Sequence, residues 1–142
     1  MKLDDLKSDP NAEEWIDCPE LGINEATGEP VALLVRSLDY PAFKVDLQET
    51  RLRLLRRYPG GKATPPAEED RENGRLYAKH LLRGWRGIED QFSPELAFSV
   101  LTDPAHRDLR NAVAAAAGQV ALRRAVQTEA VAGNSKRASR GA

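Results

Sequence analysis

The sequence predicts an α+β fold, mainly helical, with a small N-terminal antiparallel β-hairpin followed by about four helices. Three observations predict it. Val31, Leu33 and Val35 alternate at period two within an apolar run, the pattern of a half-buried strand. Beyond residue 37 the apolar residues recur instead at helical spacing, as on amphipathic helices. That helical part is punctuated by Pro59-Gly60-Gly61, Ser93-Pro94-Glu95 and Asp103-Pro104, each a stop or start signal.

The elements follow in order. Glu13-Glu14-Trp15-Ile16-Asp17-Cys18 reads as a short strand, and residues 19–30 as a wide loop with its tightest turn at Thr27-Gly28. Residues 31–36 form the better strand. A hairpin alone is marginal, so its apolar face must rest on helices or on another strand. Its free edge is a place where a second copy could add on. The first helix begins at residues 37–41 and runs to about Tyr58. Phe43, Leu47, Leu54, Leu55 and Tyr58 form its apolar stripe, and Lys44, Arg51, Arg53, Arg56 and Arg57 its basic side. Residues 59–66 are too rich in Pro and Gly to be helical. The second helix starts near Pro66, has acids in its first turns, and ends at Gly84. Gly74 lies within it, where glycine costs ~1 kcal/mol relative to alanine.

Trp85, between Gly84 and Gly87, sits in a sharp turn. There the ring either pins a helix corner into the core or shows part of itself to a partner. Ser93-Pro94-Glu95 supplies an N-cap, a proline at the first helical position and a carboxylate in the first turn. Asp103-Pro104 repeats that chemistry, so a short helix spans about 94–102. The last helix begins at Pro104, with Leu109, Val113, Ala116 and Val120 on one face. The small residues Ala114 to Ala117 permit close helix approach, and helix propensity also explains them. Residues 1–132 read as one domain and residues 133–142 as a disordered basic tail.

Composition narrows the function classes. Of the 142 residues, 41% are apolar and 30% charged, and there is a single cysteine, so no intrachain disulfide is possible. The opening MKLDDLKSDP has no apolar core of a secretory signal. The longest uncharged run is far short of the ~20 apolar residues that span a bilayer, so a cytosolic protein is expected. The net charge of -1 conceals a polarity: residues 1–30 carry two lysines against nine acids, and residues 31–58 six basic residues against three acids. An acidic head and a basic first helix could attract each other between copies, or both could be solvated surfaces.

No catalytic constellation stands out, and no enzyme is expected. His80 reads as a helix-surface or core-edge residue and His106 as solvated. Cys18 has no motif that would pair it with either. His and Cys at metal-ligand spacing are missing, and Pro59-Gly60-Gly61-Lys62 lacks the full phosphate-loop spacing. No cofactor or metal is expected. The basic residues of the first helix raise a nucleic-acid reading, but a pI of about 6.1 and the lack of a reading motif argue against it.

An ordered set of motifs resembles the tail assembly chaperones of long-tailed, siphovirus-like bacteriophages. It comprises MKLDDLKSDP with the Trp15 strand, then LLVRSLDYPAFKVDLQETRLRLLRRY, then Gly84-Trp85-Arg86-Gly87. Phe92-Ser93-Pro94-Glu95, Leu101-Thr102-Asp103-Pro104 and Arg107-Asp108-Leu109-Arg110 follow. The set covers roughly residues 1–130. One departure is a short connection, Ile88-Glu89-Asp90-Gln91, where family members usually have a longer Asp-Gly-containing loop. The resemblance implies a non-enzymatic protein of the host cytoplasm. It would bind the tape-measure protein, keep it soluble and help recruit tail tube subunits, and it would be absent from the mature virion. In this family a ribosomal frameshift often adds a longer form.

A coat for a long helix needs repeated weak contacts, with neighbours and with the helix. Leu81, Leu82, Trp85, Phe98 and Leu101 are the residues expected to form a groove for an amphipathic helix. Self-association is expected; membrane and nucleic-acid partners are not. The alternatives are a structural tail component, such as a completion or terminator protein, and a small DNA-associated regulator.

Overall fold

The computed structural model describes residues 1–123. The proposed tail at 133–142 lies outside the described residues. The fold is α+β and mainly helical.

Strands β1 (Glu13–Asp17) and β2 (Ala32–Arg36) form the expected antiparallel pair, with Trp15 opposite Leu34. The loop between them is pinned by the bridge between Ile23 and Pro30 and turns at Thr27-Gly28. A third strand, β3 (Leu82–Arg86), completes the sheet in the order β1-β2-β3. This corrects two expectations. The second helix does not run to Gly84, and Trp85 lies in a strand rather than in a turn. The physical reason is the need of β2 for a second neighbour. Leu33 and Val35 are completely buried, and pairing with Trp85 and Leu82 satisfies the backbone on that side of them. Of the two glycines flanking Trp85 only Gly87 takes a positive φ, 85°, so the chain turns one step after the strand. Trp15 reaches across β2 to Gly84, and the Arg86 guanidinium stacks 4.8 Å from its ring centre.

Helix α1 (Pro41–Arg57) starts at proline, whose missing N–H costs nothing in a first turn. It buries only Phe43 and Thr50 among its own residues. Its stripe is therefore only partly covered: Leu47 and Leu54 are half-buried and Leu55 is exposed. Helix α2 (Pro66–Leu76) continues into a widened π-helical turn, Tyr77–Leu81, before the chain straightens into β3. Helix α3 (Pro94–Leu101) has the expected cap, the Ser93 hydroxyl accepting from the Leu96 N–H at 3.0 Å. The last helix opens with a 3-10 turn, Pro104–His106, capped by Asp103, and α4 (Arg107–Leu122) follows.

Helix α4 covers the apolar face of the sheet. Val113, Ala116, Ala117 and Val120 are all 1% exposed or less. The chain leaving β2 comes close enough for the Leu38 N–H to bond the Ala117 carbonyl at 3.3 Å. The alanine run thus serves close packing inside the fold as well as propensity. Leu76, Leu81, Leu82 and Leu101 join the same core.

Candidate partner-binding groove

The seam between α2 and α3 leaves a groove on the surface. Its first part, about 450 Å³, has Leu82, Phe92, Pro94 and Phe98 on its apolar side and Arg75, Lys79 and Arg83 along its rim. A second depression of about 710 Å³ continues beyond Phe98 and Arg75 towards Thr102 and Pro104. Phe98, 47% exposed, therefore stands between two hollows of one elongated channel. The position follows from the sequence: the Ser93 cap and Pro94 fix where α3 starts, and that start sets which face Phe98 occupies.

The structure divides the five residues expected to form this groove. Phe98 is on its surface. Leu82 lines the floor but is itself 1% exposed. Leu81 and Leu101 are completely buried and belong to the core, so no partner reaches them in this fold. That corrects their expected place at the surface, because the strand at 82–86 turns Leu81 inward. Trp85 is half-buried beside the groove. Its indole N–H donates to the Asp90 carbonyl at 2.7 Å, and its ring meets Phe92 edge-on at 5.0 Å. The short Ile88-Glu89-Asp90-Gln91 connection is thus held to Trp85, which in turn props up Phe92.

Phe92 and the cationic rim are what sequence reasoning missed. Arg75, Lys79 and Arg83 recur every four residues, so the spacing was readable. Which face it belonged to was not, because the π-helical turn shifts the register between them.

The rim is anchored by a polar cluster between α1 and α2. Arg75 donates to Thr50 at 2.8 Å, and its guanidinium bridges Asp46 at 3.3 Å and Glu72 at 3.1 Å. His80, 8% exposed, bonds Asp46 at 2.8 Å, so of the two expected placements it takes the core edge, with its ring satisfied, and not the helix surface. Burial pushes the Asp46 carboxyl up. The hydrogen bonds from His80 and Arg75, with the charges of Arg75 and Lys79, outweigh it and hold the group well below the usual carboxylate range. Arg53 pairs with Glu72 at 2.8 Å and Arg57 with Glu68 at 2.9 Å. Part of the basic side of α1 is therefore neutralised within the fold. Arg110 is a buried cation that the sequence did not flag, 3.6 Å from Asp70.

Cys18 is 2% exposed, and burial, helped by Glu20 and Asp17, pushes its thiol up to about 11. It stays protonated at neutral pH, the opposite of an activated nucleophile. Among the described residues no group of three or more His, Cys, Asp and Glu is placed to hold a metal ion.

Residues 38–134, about two thirds of the chain, match the model of the YdaY prophage protein family. The chain belongs to that family. It is a phage-related protein, and the YdaY match spans every residue that lines the groove. Strands β1 and β2 lie before the matched span. No curated protein and no solved structure matches the chain.

Proposed function

We propose that this protein is a tail assembly chaperone of a phage or prophage. It is a non-enzymatic factor of the host cytoplasm that binds the tape-measure protein, keeps it soluble, helps recruit tail tube subunits and is absent from the mature virion. The observation that carries this reading is the half-exposed Phe98 in the middle of the α2–α3 channel. An aromatic crest between an apolar hollow and a charged one suits an amphipathic helix that lays its apolar face beside Phe98 and turns polar residues towards Arg57, Arg71 and Glu68. The exposed cations of the rim, Lys79 and Arg83, suit a helix whose apolar face is flanked by acidic residues. Membership of a prophage family supports the phage setting, and the ordered motifs that resemble tail assembly chaperones support the finer role.

The test is co-expression with the tape-measure protein of the same gene cluster, followed by light scattering on the soluble fraction. A soluble complex with many copies of this chain per tape-measure chain is expected. An insoluble tape-measure protein, with this protein running alone as a closed ring, would replace the proposal with a structural tail component.

A further inference from the structure

A second apolar cleft, of about 670 Å³, lies on the other side of the molecule's polar cluster, between α1 and α2. Leu47, Leu54, Leu55 and Tyr77 line it, with Lys44 and Arg51 on the α1 wall and Glu69 and Glu72 on the α2 wall. Leu55 is 64% exposed, so this apolar wall is open to solvent.

The same chain carries a segment with matching chemistry. Leu3–Leu6 forms a 3-10 turn that buries none of its residues, and Leu3 is 84% and Leu6 45% exposed. Residues three apart eclipse each other in a 3-10 turn, so the two leucines make one ridge. Asp4 and Asp5 stand beside that ridge, and Lys2 and Lys7 bracket it. We propose that the Leu3–Leu6 turn of one copy docks its leucine ridge into the α1–α2 cleft of a second copy, with Asp4 and Asp5 facing Lys44 and Arg51.

Charge complementarity supports the pairing. The turn carries Asp4 and Asp5 between Lys2 and Lys7, with Lys7 3.0 Å from Asp4, and the cleft carries Lys44 and Arg51 opposite Glu69 and Glu72, so the two cations of the α1 wall can meet the aspartates and the two acids of the α2 wall can meet the flanking lysines. Among the described residues nothing covers the leucine ridge or fills the cleft, and residues 1–7 line no part of the cleft. The contact joins two different surfaces, so it is heterologous. Repeated head to tail, it builds a row or a ring of copies. It stands independently of the tape-measure proposal, because it concerns copies of this chain alone.

The experiment is sedimentation of the purified full chain over a range of concentrations, at low and high salt. Wild type is expected to form a concentration-dependent series of oligomers that shrinks as salt rises. A Leu3→Asp/Leu6→Asp variant and a Leu55→Glu variant each change exposed side chains only. Each is expected to weaken association by about tenfold or more with an unchanged circular dichroism spectrum. Mixed together, they should form a one-to-one dimer and nothing longer, since only one good cleft and one good ridge remain. Arg51→Glu serves as a second cleft variant with the same expected loss. A wild-type monomer at all concentrations overturns the proposal, as does association that survives both variants or a mixture that stays monomeric.

Discussion

The α-carbon of Gly74, inside α2, faces the backbone carbonyl of Leu101 at the end of α3, at a separation that leaves no room for a β-carbon. This contact sets how closely the two helices approach, and so the depth of the channel between them. It also explains a residue that looks costly in isolation.

Gly74→Ala should therefore destabilise the protein, although alanine is the better helix former by ~1 kcal/mol. The obstruction is backbone, which cannot swing aside as a side chain would. A loss of about 2 kcal/mol or more is expected, as for other overpacked sites, with a fall of roughly 8 °C or more in Tm. Thermal and urea unfolding measure it. A neutral or stabilising Gly74→Ala would show that the helices are not held at this distance.

Asp46 gives the fold a dependence on acid. Its folded carboxyl lies below its unfolded value, so its contribution is fully present above the unfolded pKa near 4 and is lost as pH falls through and below that value. Urea stability should be flat from neutral pH to about 5 and then decline. Asp46→Asn should lower stability at neutral pH by about 1–2 kcal/mol, the scale of hydrogen bonds to a charged group. It should also flatten the decline below pH 4. An equally steep decline in the variant would assign the acid sensitivity to other carboxylates.

How far the sequence discloses this molecule depends on the range of the signals. Caps and breakers are local, and Ser93, Asp103 and the Pro59-Gly60-Gly61 stop all lie where their chemistry predicts. The alternation of Val31, Leu33 and Val35 likewise marks β2 correctly. Strand β3 escaped because Leu81 and Leu82 extend a helical pattern, and only pairing with Leu33 and Val35 pulls Leu82 and Trp85 into the sheet. The groove escaped in part for the same reason. The apolar composition at 81–101 pointed to the right seam, but whether Leu81 and Leu101 face a partner or the core is decided by that strand. Asp46, Thr50, Arg75 and His80 meet only across two helices, and nothing in their spacing announces the cluster.

Cys18 should be chemically silent in the native protein. Its thiol is buried and its pKa is pushed up to about 11, whereas an exposed cysteine ionises near 8.5. A thiol reagent at pH 8 should label it slowly, at the rate of opening, and label one thiol per chain at once in denaturant. Because the folded pKa is raised, this group's contribution to stability is complete below its unfolded value and declines as pH rises from there towards 11. Rapid native labelling would place Cys18 at the surface, and would break the packing derived for the end of β1.

Phe98 and Trp85 should behave differently under the same substitution, although both lie at the α2–α3 seam. Phe98 is half exposed, and the carbonyl that accepts from the Thr102 N–H and hydroxyl is a backbone group that a substitution of its ring leaves in place. Phe98→Glu should leave the unfolding midpoint within about 1 kcal/mol of wild type while abolishing solubilisation of the tape-measure protein. Trp85 packs on the core opposite Leu33, holds Asp90 through its indole N–H and props Phe92. Trp85→Glu should cost about 3 kcal/mol or more, in line with loss of a large packed aromatic. Urea titrations paired with the co-expression assay read both effects. Two variants that both unfold would make Phe98 a core residue and remove the observation on which the chaperone proposal rests. Two that both fold and both solubilise the tape-measure protein would move its docking site away from this channel.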